Sequence, residues 1–434
     1  MKVVRYKSGL ILLHKKYKDI EGVSFRLTFN AGAYNDGNGK QGLAHLVEHM
    51  LTTFSNKKYS RQELNKSLYR YPNKNANTSL IEMNFLGKAT KETFESLVDS
   101  LTSGFLGFTN AEKEFEDEKK IVTQEIATRL KLNTMQAYYL QCKNLYKDKN
   151  HKNVNEGLTI GTKESVNALT LKDAMEFIDT YFALNNAVVS IVGNISLRKA
   201  KHIVEKYVID RLKEHGKVGF GYEDYVSFNG GKFITEKPWE EKKALLDIIW
   251  SYGEKEKYIS REEAYFQNII TETLNSMAFK KFREENKSCY GCYFALTNDY
   301  KAKVANFRVQ CENEKIKFNY DIFKEFLTEI KKNGLNKELF EEQKQKHFEM
   351  SNLDHSGIEN VCKNKIFQVK KFDNILTKRE RRKLHKKLEN ISFEEVNEYL
   401  KKSLNGKPNI TVLTSPEIAN EMNVKEIEKI LKLK

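Results

Sequence analysis

The feature that most limits the fold is an internal repeat. Residues 169–192 align without a gap on residues 391–414, a shift of 222 positions in a chain of 434. Thr170 and Ser392 stand as helix N-caps, each followed three places later by an acid, Asp173 and Glu395. Phe177 corresponds to Tyr399, and the strand-like run Val188 to Ile191 corresponds to Ile410 to Leu413. A period of half the chain means two similar units. The fold class expected is α+β: two similar α/β-sandwich domains, each a mixed or antiparallel sheet flanked by helices, related by duplication. The expected division is an N-terminal domain over 1–213, a linker over 214–231 and a C-terminal homologous domain over 232–434. Gly216, Gly219, Gly221, Gly230 and Gly231 punctuate that linker.

Periodicity places the elements within this frame. Residues 3–14 and 23–31 alternate toward strand, with a polar turn between them. Residues 32–42 are loop and 41–53 a helix. A second helix begins at Ser60, with Glu63 completing a capping box. Residues 75–79 and 80–86 are expected as strands, 90–106 as helix, and Asn110 opens a long helix with an acidic first turn. In the second half, strands are expected at 232–236, 244–251, 289–298 and 303–311. A helix fits 260–285, with further helices between 315 and 388.

Composition removes several function classes. The net charge is +15 and the pI about 9.2, which raises nucleic acid as a partner. The lysines are spread along the chain, however, and the one basic run, 378–387, reads as a solvated helix face. No nucleic-acid partner is expected. The basic balance gives a weak pointer to acidic substrates. The N-terminus has no apolar signal core and no stretch reaches about 18 apolar residues. The expectation is a cytoplasmic protein without a membrane partner. Five scattered cysteines argue against a disulfide framework. Cys289 and Cys292 form a lone CxxC, expected as two reduced thiols in or near a strand.

The chemistry-bearing stretch is His45-Leu46-Val47-Glu48-His49. On a helix, His45 and His49 lie four apart on one face and can fill two corners of a tetrahedral zinc site. Glu48 sits at the edge of that face, within reach of a water on the metal as its general base. On the long helix after Asn110, Glu118 and Glu125 are seven apart and share a face. The 222-residue shift carries His45 and His49 to the neighbourhood of Gln267 and Thr271. The second domain therefore has no copy of the metal pair, and one site per chain follows.

These motifs resemble the pitrilysin/insulinase family of zinc metallopeptidases, over essentially the whole chain. The resemblance rests on the inverted His-x-x-Glu-His motif, on the preceding Gly42-Leu43-Ala44, and on Glu125 standing 76 residues after His49. It rests also on Asn75-Ala76-Asn77-Thr78 and on Val189 to Asn194. It implies a zinc-dependent endopeptidase hydrolysing short or unfolded peptides. One Zn2+ per chain would be held by His45, His49 and Glu125, with a water in the fourth position and Glu48 as its base. Glu118 would support catalysis by orienting His49 or a water. Asn75, Ala76 and Asn77 would belong to an edge strand that pairs with substrate backbone. Arg283 and Tyr290, seven apart, would hold the substrate and its oxyanion.

Family members that act as single chains have four such domains closing a chamber, and this chain has two. The resemblance thus implies a homodimer, or a heterodimer with a related, inactive subunit, with Arg283 and Tyr290 working in trans. It leaves open a subunit of a heterodimeric protease that matures a bacteriocin or other modified peptide. A catalytically silent scaffold is a further alternative, against which the intact motif argues.

Overall fold

The computed structural model describes residues 1–71, 73–129, 131–147, 159–216, 227–228, 230–238, 243–254, 259–299, 302–352, 357–372 and 375–432. The first half runs β1 (Lys2–Arg5), β2 (Ile11–Lys16), β3 (Gly22–Phe29), α1 (Leu43–Thr53), α2 (Arg61–Tyr69), β4 (Asn75–Thr78), β5 (Met83–Thr90), α3 (Phe94–Leu101), α4 (Ala111–Arg129), α5 (Asn133–Leu145), β6 (Tyr146–Lys147), α6 (Leu171–Tyr181) and β7 (Ala187–Gly193). The second half runs β8 (Ser227–Phe228), β9 (Phe233–Glu236), β10 (Lys243–Glu254), α7 (Arg261–Ala278), β11 (Gly291–Asp299), β12 (Ala302–Glu312), α8 (Ile358–Phe372), α9 (Phe393–Ser403) and β13 (Pro408–Leu413).

The first sheet has the order β1-β2-β7-β3-β5-β4 and the second β11-β12-β10-β13-β9. Read from β4, the first sheet gives β4-β5-β3-β7-β2, which matches the second sheet strand for strand. The one parallel pair also recurs, β2 with β7 and β13 with β9. Helices α6 and α9 lie 222 residues apart at both ends, and both carry the full capping box. The molecule is therefore an α+β duplication of two similar sandwiches. Each has its own apolar core: one built around Phe25, Phe29, Phe85 and Phe94, the other around Trp250, Phe294, Phe307 and Phe323. Each such ring, fully buried, contributes about 1.5–3 kcal/mol. Most of the expected linker, residues 217–226 and 229, lies outside the described residues.

Three expected elements differ in detail. Residues 3–14 form two strands because Tyr6 and Leu10 close a tight turn, with Gly9 at φ 90°. The strand expected over 80–86 starts only at Met83, since Ser79 ties residues 79–82 into a turn through its backbone and hydroxyl. The helix expected over 90–106 breaks at Thr102 into α3 and a short 3-10 turn.

Two helices cross between the halves. Helix α8 lies on the outer face of the first sheet, with Ile366 and Val369 against Ile11, Leu13 and Val188, and Val361 and Cys362 against Val192. Helix α5 lies on the second sheet, with Ala137 and Leu140 against Leu245 and Leu413. Each half thus covers one sheet face of the other.

Helix α1 is anchored at its start by a neighbour. Its N-cap, Gly42, has φ 91° and no side chain, and a Cβ there would come within 2.6 Å of the Ile160 carbonyl oxygen. The buried Asp36 carboxylate replaces the missing cap, accepting the Gly42 and Ala44 amides at 2.7 Å each. Asp36→Ala is expected to cost about 2 kcal/mol of stability, read as a lowered urea midpoint at unchanged slope.

Candidate active site

Three elements converge on one place. Helix α1 supplies His45, Glu48 and His49; α4 packs across it and supplies Glu118 and Glu125; β4 runs alongside. His45 is buried because α1 is apolar almost all round, with Leu43, Ala44, Leu46, Val47, Met50 and Leu51 in the core. The imidazole rings of His45 and His49 have centroids 4.7 Å apart. Their Nε2 atoms lie 3.7 and 3.6 Å from the same oxygen, Glu125 Oε2. One donor atom from each of the three residues falls within 4.8 Å of the others, the one such trio among the described residues.

Neighbours hold this trio in place. His49 Nδ1 lies 2.8 Å from Glu118 Oε1, and Arg61 at the start of α2 and Thr53 reach the other Glu118 oxygen. Arg129, one turn beyond Glu125, bonds its second oxygen at 2.7 Å. Glu48 is buried and accepts the Thr78 hydroxyl of β4 at 2.7 Å. By contrast, His45 Nδ1 is buried and has no hydrogen-bond partner among the described residues. A cavity of about 240 Å³ opens onto Glu48 and His49 from one side and onto Asn75 and Ala76 of β4 from the other.

The charges follow from this geometry. Burial, with repulsion from His49, brings the His45 imidazole down to about 4, so it is neutral and has a free lone pair. Burial also opposes a charged His49, but the hydrogen bond to Glu118 and the Glu125 carboxylate 3.6 Å away outweigh it and raise that imidazole to about 9. The His49 imidazole, 3.6 Å away, holds Glu125 at about 2, against burial. Burial likewise opposes charge on Glu118, yet His49 and Arg61 keep it below the usual carboxylate range. Glu48 is pushed up by burial, and the Thr78 hydroxyl works against that push.

The donor set fits a small divalent cation. Two imidazoles and a carboxylate are the ligands of a hydrolytic zinc site, and bonds near 2.0–2.2 Å imply ligand-to-ligand edges of about 3.4 Å. The observed 3.6 and 3.7 Å separations need to close by only a few tenths of an ångström. His49 already has the outer carboxylate partner that metal-bound imidazoles commonly use.

The remaining residues singled out in the sequence divide between the rim of this cavity and the second half. Asn75, Ala76 and Asn77 lie in β4 at the edge of the first sheet, where β5 is their one pairing strand among the described residues. Arg283 and Tyr290 lie beside the start of β11 in the second half. Arg283 Nη1 donates to the Tyr290 carbonyl oxygen at 2.8 Å, its guanidinium sits over the Phe279 ring, and the Tyr290 side chain is exposed. Among the described residues, no hydrogen bond or ion pair joins either of them to His45, Glu48, His49 or Glu125. Gln267 and Thr271, at the positions equivalent to the two histidines, are engaged in hydrogen bonds with Asn298 and Tyr252 and with the Leu296 amide. Cys289 and Cys292 are free thiols flanking Tyr290, half-buried against the second core.

Asp36, Arg61, Thr78 and Arg129 also serve this region, and the sequence alone gives them no role. Arg129 had a signal, since it lies four residues beyond Glu125 on one helix. Thr78 was within a recognised phrase. Arg61 reaches the site only through tertiary packing, and Asp36 acts through a loop that folds its carboxylate back onto the start of α1.

Comparison with known proteins gives the family. Residues 11–154 match the family model described as Insulinase (Peptidase family M16), and residues 168–346 match that of the Peptidase M16 inactive domain. An uncharacterized zinc protease of Rickettsia felis is 22% identical over 339 residues, covering 76% of this chain and 77% of that protein. The zinc protease PqqE of Helicobacter pylori is 24% identical over 209 residues, 47% of this chain and 46% of the relative. The crystal structure of a protease from Helicobacter pylori superposes with a TM-score of 0.78 at 16% identity, covering 95% of this chain and 99% of that one. The first matched model lies within the first half and contains the metal-capable trio, the second runs from the end of that half into the other, and the chain belongs to the insulinase family, peptidase family M16.

Proposed function

We propose that this protein is a zinc-dependent endopeptidase that hydrolyses short or unfolded peptides, with one Zn2+ per chain on His45, His49 and Glu125. The observation that carries the reading is the convergence of two histidine Nε2 atoms on one Glu125 oxygen, with Glu48 and His49 lining one cavity. Zinc bound there supplies a Lewis acid that makes water acidic near neutral pH. Glu48 takes the proton of the attacking water and passes it to the leaving nitrogen as the peptide C–N bond breaks. Glu118 fixes the His49 ring through Nδ1. Asn75, Ala76 and Asn77 offer a free strand edge to which an extended peptide adds by backbone hydrogen bonds. Zinc near one per chain, with peptide cleavage lost on chelation and restored by zinc, is the expected result. Cleavage that survives full removal of metal would overturn the reading.

Arg283 and Tyr290 stand apart from the trio, which favours a clamp delivered by a partner, either a second copy or a related subunit. The domain division proposed is 1–213, 214–231 and 232–434. For a homodimer, mixing an Arg283→Ala protein with a Glu48→Gln protein is expected to recover activity that each lacks alone. Subunit exchange without recovery would sink the trans arrangement.

A further inference from the structure

Strand β4 is gripped from both faces. On its inner face, Thr78 donates to Glu48 of the motif helix. On its outer face a polar chain leaves the first half altogether. Asn77 lies opposite Asn84 in the β4–β5 register, and Asn84 Nδ2 donates to Asn77 Oδ1 at 3.1 Å. The same amide nitrogen reaches Glu82 Oε1 at 3.2 Å, while Asn84 Oδ1 accepts the Thr28 hydroxyl at 2.6 Å. Lys370 Nζ, from α8 of the second half, donates to Glu82 Oε2 at 2.6 Å.

The chain Lys370–Glu82–Asn84–Asn77 is largely screened from water. The Lys370 side chain is 9% exposed and that of Glu82 29%, and Asn84 is buried. Burial opposes the Glu82 charge, and Lys370, Asn84 and Arg26 outweigh it to hold the carboxyl below its usual range. Glu82 also ends the turn that sets the start of β5, because its backbone carbonyl accepts the Ser79 amide at 2.8 Å. Moving Glu82 would therefore move both the turn and the amide that fixes Asn77.

From this we infer that Lys370, carried by the half that does not hold the His45–His49–Glu125 trio, is a positioning residue for the substrate strand. It acts through Glu82 and Asn84 on β4 and touches no reacting atom. The inference rests on the proposed peptidase reading, in which β4 receives the substrate backbone. Without Lys370, the Glu82 carboxylate loses its cation in a poorly hydrated place and seeks water or another partner. The edge strand then loosens while the metal trio keeps all its own contacts.

The test combines steady-state kinetics on a quenched peptide with hydrogen exchange across 75–86 in the full-length protein. Lys370→Met is expected to raise KM about tenfold with kcat within about twofold, and to speed exchange in this hairpin by a similar factor. Zinc content should stay at the wild-type level, and Lys370→Arg should restore both readings. Adding Asn84→Ala to Lys370→Met should cost much less than it does alone, because the two share one path. If Lys370→Met does not fold, Glu82→Gln removes the same ion pair at nearly constant shape and gives the same readings. Unchanged exchange and KM in a folded variant would overturn the inference, as would equal losses in KM and kcat accompanied by loss of zinc. Hydrogen exchange decides it even if the wild-type protein cleaves no peptide, an outcome that would count against the peptidase reading alone.

Discussion

Glu48→Gln is expected to lower peptide turnover about 10³-fold while zinc binding stays at one per chain. The size follows from what a positioned base contributes, typically 10²–10⁴-fold. The glutamine keeps the shape of the side chain and can still meet the Thr78 hydroxyl, which now bonds Glu48 Oε2 at 2.7 Å. It cannot accept a proton from water at neutral pH. Because Glu48 is not among the three converging ligand groups, the metal should remain. Steady-state cleavage and metal analysis on the same preparation make the comparison. Turnover within about threefold of wild type, with zinc present, would assign the proton transfer to another group.

Replacing any one of His45, His49 or Glu125 by alanine is expected to weaken zinc binding by about 10³-fold or more and to remove activity with it. That exceeds the 10–100-fold typical for losing an outer partner such as Glu118. Zinc affinity should also fall as pH drops. In the metal-free protein the His49 imidazole is raised to about 9, chiefly because Glu118 and Glu125 outweigh the effect of burial. It is therefore protonated below that value and must release its proton to bind a cation. Affinity should gain close to tenfold per pH unit up to about 9 and level off above it. His45, already neutral down to about 4, adds nothing to this slope at ordinary pH. Competition titrations at several pH values read it directly, and a flat profile between pH 6 and 8 would contradict the arrangement.

Much of the fold was written in local signals. The capping boxes at Thr170 and Ser392, 222 residues apart, mark equivalent helices because a cap satisfies backbone donors within four residues and needs no distant partner. The His45–His49 spacing was legible for the same reason, since a helix face is set by its own period. The outer face of the first sheet was not legible. Ser24, Arg26 and Thr28 alternate with Val23, Phe25, Leu27 and Phe29, a pattern that normally marks a solvated face. All three are buried, because α8 arrives from more than 300 residues away to cover them. Arg61 on Glu118 escaped for the same reason, since its partner is 57 residues away and fixed by packing; Asp36 escaped because it caps α1 from six residues before Gly42, outside the usual capping spacing.

The exchange of α5 and α8 has a thermodynamic consequence. Each half keeps its own core yet lends the other a covering helix, so opening either one strips an apolar sheet face on its sister. The halves are coupled in free energy, and a two-state transition for the whole chain is the natural outcome. Joined covalently, they find each other by closing a loop, not by bimolecular collision. The cost of that closure rises only with the logarithm of the connecting length, about 0.6 kcal/mol for each doubling. The segment that joins them is thus free to drift in length and composition, while the two lent helices are not.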